Sequence, residues 1–591
     1  MTARLRRCLA VGFLAAIAWS VGVPRASAEA TRVADRGVVV ILVPGMSFER
    51  LLGVPEVRAL ARAGGAALMS SRTPLDRLLR GSFPDAPVEH VPGQVSGLPL
   101  VVYDRAEGDV EHLGSDIREA VGISGPDVLV IVASPSASPA MRAAKDELAP
   151  IVVAVGRADL LFPSSGPMRA LASDTTRRTG VVSDEDVVPT ILDFLRRPIP
   201  DRLTGSVLRV VDATPPFDLH ARHIANRRIA IPIQVAAALY VTGMGLLGVI
   251  VIALRRKVPG WVESVVRGGA MSVLPLATAL LLAGHLLTLS YATVVPFVVG
   301  VTAVCAVAAL ALRRFGLWVP PAAQGIAVLA FFAVEAALGW RAAQTPFLGG
   351  SELDGGRFFG MPNAFIGLVM GAAVYAVVRL QPTVGASIIG AAGLFVGLPG
   401  AGANIGGSVA LFAAAGLWFS IRTRGKLDWR AAAAAAAGAA AGAAAVLLAH
   451  RFLTATPTHG TRFVEESARS LTGLWGTFVD RLGVGFRLIA LNPFALVPVV
   501  GLPIVLVVAL RPPHTCRAAF QRNPEWRHVV LVLSLGGIVA YLVNDSGPAA
   551  GGQAFATSVA ALVWVSLARP PEPGAAEPEP SAVEPSELEP A

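Results

Sequence analysis

Cysteine is scarce in this chain. Its three cysteines, Cys8, Cys305 and Cys516, fall in the N-terminal leader, inside an apolar run and in a short basic loop. None lies in the 29–228 region, so that region has no disulfide scaffold and needs an ordinary core. Charge is also thin, at 15% of residues. With a mean hydropathy of +0.61, this excludes a solvated, disordered chain and points to a membrane protein with room for a separate folded domain. The net charge of +9 comes largely from arginines that flank apolar runs, where they orient helices. No nucleic-acid partner is expected.

The leader has a clear pattern. Arg4, Arg6 and Arg7 precede an apolar stretch from Leu9 and the small residues Ala26-Ser27-Ala28, which predicts a cleavable secretory signal over 1–28 and an exported segment over 29–228. In that segment 38–43 is a β-branched run closed by Pro44-Gly45, as in a buried parallel strand entering a turn. A helix over 55–63, strands over 64–69, 127–132 and 151–155, and a helix over 186–196 follow. The alternation predicts an α/β sheet with ligand positions at the C-terminal ends of its strands.

Three stretches carry a resemblance: Val38 to Ser47, Gly64 to Pro74, and the closing Thr179-Gly180-Val181-Val182-Ser183-Asp184-Glu185-Asp186-Val187-Val188-Pro189-Thr190 with the helix after it. Together they resemble the alkaline-phosphatase superfamily. The resemblance implies a nucleophile at Ser70, Ser71 or Thr73 and two divalent metals held by Asp and His. The chain departs from that pattern at the ligands. Pro44 stands where an Asp is expected, Ser134-Pro135-Ser136-Ala137-Ser138 where an Asp-His pair is expected, and Thr175-Thr176-Arg177-Arg178 near a further His. His90, His112, His220 and His223 lie elsewhere and read as loop-surface residues, and Arg177 and Arg178 as solvated cations. A degenerate alkaline-phosphatase-like domain without metal or cofactor, leaning away from catalysis, is the expectation. The competing reading is a metal-dependent phosphoester hydrolase or transferase acting through Ser70, Ser71 or Thr73.

The 229–568 region holds eleven apolar runs of membrane-span character: 229–254, 269–291, 293–312, 319–339, 364–378, 384–398, 405–421, 431–450, 489–510, 529–543 and 553–567. They predict an all-α polytopic domain of about 11 transmembrane helices, with the short runs at 364–378 and 384–398 also fitting a re-entrant pair. Basic clusters at 255–257, 313–314, 379, 422–426 and 511–522 assign alternate loops and the tail to the cytoplasm. The tail over 569–591 is rich in Pro and Glu and predicts disorder. Apolar spacing over 463–482 predicts an amphipathic interfacial helix. Gly367 with Gly371, and Gly438 with Gly442, predict close helix contacts.

Three connectors combine helix-interrupting and polar residues: Gly349 to Asn363, Gly397 to Gly407, and Asn544 to Pro548. The charge bias puts all three on the outer side. Broken helices with such residues form ligand sites in transporters; ordinary outer turns are the alternative. The candidate ligand-binding residues are Glu352, Asp354, Arg357, Asn363, Asn404, Asn544 and Asp545. Arg357 is assigned to an anion, the acids to cations or sugar hydroxyls, and the asparagines to positioning. Glu335 and His285 are the candidate intramembrane ionisable residues, functional by default because lipid penalises charge. The expected protein is a multi-pass plasma-membrane protein of a bacterial cell envelope, of actinobacterial type from its Ala/Gly/Arg/Val-rich composition. Its expected partner is an envelope lipid or a lipid-linked saccharide precursor, bound or translocated at an outward-facing site. A scaffold recruiting other envelope proteins is a further alternative.

Overall fold

The computed structural model describes residues 36–70, 100–123, 127–146, 148–157, 165–200, 205–254, 257–344, 358–453, 495–544 and 547–568, with isolated positions between them. The leader, the tail and, apart from Val479, the expected helix over 463–482 lie outside the described residues.

The N-terminal part is an α/β domain. Its elements run β1 (Arg36–Leu42), α1 (Phe48–Gly53), α2 (Pro55–Ala63), β2 (Gly65–Ser70), β3 (Val88–Glu89), β4 (Leu100–Asp104), α3 (Leu113–Ile123), β5 (Asp127–Ala133), α4 (Pro139–Ala144), β6 (Ala149–Arg157), β7 (Ala170–Ala172), β8 (Val181–Ser183), α5 (Val187–Phe194) and β9 (Arg209–Val211). The sheet order is β3-β4-β1-β5-β6-β2-β7-β9, with β8 also paired to β2. Strand β1 is parallel to both neighbours and buried on both faces. Val39 and Ile41 pack under α1, α2 and α3, while Val38, Val40 and Leu42 pack against α5. This explains the continuous β-branched run.

Strand β6 does not follow the expected alternation. It is antiparallel to both β5 and β2. The intervening α4 has only six residues, about 9 Å of helix, against roughly 23 Å of β5. It is too short to carry the chain back along the sheet, so the chain turns at Lys145 (φ 65°) and returns beside β5.

The first helix of the C-terminal part, α6 (Phe217–Ala253), has 37 residues. That is about 55 Å, more than a hydrocarbon core requires. It runs unbroken across the expected domain boundary at 228/229, and its first turns belong to the α/β domain. His220 and His223 are buried there, not on a loop surface. His220 Nε2 lies 2.6 Å from Asp146 Oδ1, and Phe48 stacks edge-on against Phe217 with centroids 5.0 Å apart. His112 is exposed, and His90 lies outside the described residues.

The bundle continues with α7 (Gly260–Met271), α8 (Val273–Leu282), α9 (Tyr291–Leu312), α10 (Val319–Ala337), α11 (Ile366–Ala376), α12 (Pro382–Gly397), α13 (Ile405–Arg424), α14 (Trp429–Leu453), α15 (Leu496–Leu510), α16 (His514–Arg522), α17 (Pro524–Val543) and α18 (Gly547–Ser566). Among the described residues seven helices are long and apolar enough to cross a membrane, or up to nine if each bent pair is one span. These helices mark a multi-pass membrane protein. The expected run at 269–291 is part of such a pair, α7 and α8, bent by 46°.

The short helices α11 and α12, of 11 and 16 residues, are about 16 and 24 Å long, less than a hydrocarbon core. Arg379, at the turn between them, pairs with Glu525 at the start of α17 (3.0 Å), whereas both outer ends of the pair lie beside the α/β domain. The glycine pairs sit at tight crossings. A Cβ at Gly367 would collide with the Ala550 carbonyl of α18, and one at Gly371 with Thr557. Gly438 and Gly442 lie against Phe412 of α13.

Candidate functional site

The first two polar connectors meet directly. Met361 N donates to Gly402 O (2.7 Å). Asn404 donates through Nδ2 to Met361 O (2.9 Å) and to Asn363 Oδ1 (2.7 Å). Its Oδ1 accepts from Gly407 N (2.8 Å), which caps the N-terminus of α13. Both amide hydrogens of Asn404 and its carbonyl are thus committed within the fold. The approach demands glycine at 360, where φ is +82° and any Cβ would strike the Gly402 carbonyl. The third connector closes on the same place: a Cβ at Gly406 would lie 2.7 Å from Asn544 Oδ1. Asn544 is buried and donates to Ala540 O (2.8 Å).

Asn363, Asn404 and Asn544 are therefore brought together. Glu352, Asp354, Arg357 and Asp545 lie outside the described residues. Glu335 and His285 also meet, with Glu335 Oε1 2.8 Å from His285 Nε2. Glu335 Oε2 accepts from Ala342 N (2.8 Å). The pair ties the ends of α8 and α10 together on the domain side. Trp340 follows in left-handed backbone (φ 60°), a costly conformation for a bulky residue. It is held by its N–H to Glu335 O (2.7 Å) and by Nε1 donating to Ala401 O (2.9 Å).

The solvated reading is overturned for Arg178, whereas Arg177 is exposed yet held by partners in the bundle. Arg178 is 8% exposed. Its guanidinium donates to the carbonyls of Phe358 (2.8 Å), Trp340 (3.3 Å) and Gly339. Arg177 donates to Pro399 O (2.8 Å) and stacks 4.0 Å over Phe359. Burial pulls its pKa below the ordinary value, with Asp174 opposing. The irregular turns around 339–340, 358 and 399 leave carbonyls without helical partners, and a planar five-donor cation satisfies several at once. These two arginines fasten the α/β domain to the bundle. The only local signal was an adjacent pair of cations in a tight turn.

That turn is braced from within the α/β domain. Asp186 accepts from Thr175 Oγ1, Ser206 N (2.9 Å) and Ser183 N (2.9 Å). Burial raises the Asp186 pKa, and these hydrogen bonds oppose the rise. Ser70 ends β2, buried in register with Ser183; Ser71 and Thr73 lie outside the described residues. Among the described residues no three His, Cys, Asp or Glu side chains are grouped to hold a metal.

A cleft of about 350 Å³ opens between α6, α8, α15 and α18. Its walls are apolar apart from Gln234, Thr242 and Gln553. Leu348 and Ala364, which flank the connector that carries Asn363, border it, as do Pro548, the end of the connector that carries Asn544, and Ala549 beside it. The size suits one small ligand or a lipid chain. Neither the cleft nor the arginine fastening was visible in local sequence. No protein-family model, curated protein or solved structure matches the chain.

Proposed function

We propose that this protein binds an amphiphile, an envelope lipid or lipid-linked saccharide, and moves or presents it at the outer face of a bacterial plasma membrane. The apolar chain occupies the cleft of α6, α8, α15 and α18. The head group sits at the connectors, where Glu352, Asp354, Arg357 and Asp545 contact it, and Asn363, Asn404 and Asn544 hold the shape of the mouth. The α/β domain, through its resemblance to the alkaline-phosphatase superfamily, faces a phosphorylated head group without cleaving it. The assignment of about 11 spans and of the connectors to the outer side belongs to this reading.

One observation carries it: the cleft is bordered by Ala364, which follows the first polar connector, and by Pro548, which ends the third. Transporter sites combine non-helical backbone with a cavity in this way. The test fills the cleft with Ala364→Trp or Gly552→Leu and measures crosslinking to a photoactivatable lipid and the co-purified lipid by mass spectrometry. Lipid occupancy is expected to fall about tenfold or more. Unchanged occupancy in both variants, with normal folding, removes the proposal.

A further inference from the structure

The bundle also has a polar cavity at its other end, away from the α/β domain. It measures about 1050 Å³ and lies between the start of α7, the end of α9, the α16–α17 junction and the end of α18. Among the described residues four arginines line it, Arg267, Arg313, Arg314 and Arg522, against one carboxylate, Glu263. Arg267 is buried and stacked 4.3 Å over the Trp564 ring. Arg313, Arg314 and Arg522 are exposed around it. The cavity also takes in the first turn of α7, the positive end of that helix's dipole. Trp261, on the rim, and the neighbouring Phe315 are both exposed, as aromatic side chains are at a membrane–water interface.

We infer that this cavity binds the phosphate of an anionic lipid head group. Guanidinium groups recognise phosphate oxygens in bidentate fashion, and basic pockets between membrane helices hold anionic head groups. The position selects the source: the arginines converge at the ends of spanning helices, where a phospholipid's phosphate lies and its acyl chains can run down the bundle's exterior. Arginines serving only to orient helices have no reason to discriminate between head groups. This site is separate from the cleft near the α/β domain, and its fate does not depend on that reading.

The test uses the full-length protein purified in neutral detergent. Native mass spectrometry and thermal unfolding are measured with phosphatidylglycerol, cardiolipin, phosphatidylcholine or inorganic pyrophosphate. The anionic lipids are expected to be retained and to raise Tm, and phosphatidylcholine to do neither. Arg313→Gln and Arg522→Gln together weaken retention by about tenfold per arginine, and the matching Lys pair, which keeps the charge but loses the planar fork, falls between. Equal retention of charged and zwitterionic lipids, or unchanged retention in the Gln pair, overturns the inference. A response to pyrophosphate equal to that for lipid overturns the lipid source and leaves a free phosphate as ligand. If the Gln pair does not fold, the wild-type protein decides: anionic-lipid binding that does not weaken with rising salt overturns the site.

Discussion

The two ends of the helical bundle use arginine in different ways. Next to the α/β domain, Arg177 and Arg178 are spent on carbonyls that irregular turns leave unpaired. At the far end, Arg313, Arg314 and Arg522 surround an open cavity. The contrast shows that a guanidinium's role is set by the backbone it meets. Where helices are broken and tightly interlocked it becomes a fastener. Where helices end around the cavity, Arg313, Arg314 and Arg522 stay exposed, although Arg522 and the nearby Arg527 also donate to helix carbonyls.

The sharpest way to break this contrast is Arg178→Ala. It strands the carbonyls of Gly339, Trp340 and Phe358 at a buried seam, so docking of the α/β domain should weaken by on the order of 3–5 kcal/mol. Limited proteolysis should then cut between the domain and the bundle, and Arg178→Lys should recover only part of the protection. An unchanged digestion pattern would mean the seam is held elsewhere. Asn404→Ala comes next. It removes the α13 cap and both donors to the neighbouring connector, costing roughly 1–3 kcal/mol, read as a lower Tm of the whole protein.

The smallest effect concerns pH. The folded pKa of Asp186 is raised above its ordinary 3.8, so in the window between the two values the folded state holds more protons than the unfolded one. Stability contributed by this group is therefore full below 3.8 and falls as pH rises through the folded value. Asp186→Asn should flatten that part of the stability–pH curve for the turn carrying Arg177 and Arg178. The same slope in both proteins would assign it to other groups.

Much of the architecture was legible in short windows of sequence. The helix over 55–63 and the strands over 38–43 and 127–132 are where β-branched runs and turn residues put them, because those signals act within one element. The crossings at Gly367, Gly371, Gly438 and Gly442 were legible for the same reason: small residues four apart leave a flat stripe on one helix. Convergence of Asn363, Asn404 and Asn544 was posed by the sequence as a question of side, and only coordinates supply the distances. The arginine fastening was invisible because its acceptors are backbone carbonyls some 160 to 220 positions away. Carbonyls have no residue signature. The burial of His220 and His223 was missed because a span was assumed to begin where apolar residues begin, whereas α6 starts a dozen residues earlier inside the α/β domain.

That helix has a mechanical consequence. Among the described residues no loop interrupts α6 between Asp146's partner His220 and the cleft wall at Gln234, Ala237 and Val241. A continuous helix resists bending more than a linker does, although Pro232 within this stretch removes one backbone hydrogen bond and softens it locally. Tilting the α/β domain moves the first turns of α6, and that motion bears on the width of the cleft lined by the middle of the same helix. The seam at Arg177 and Arg178 and the cleft are thus linked through one helix, with Pro232 as the point where that link can yield.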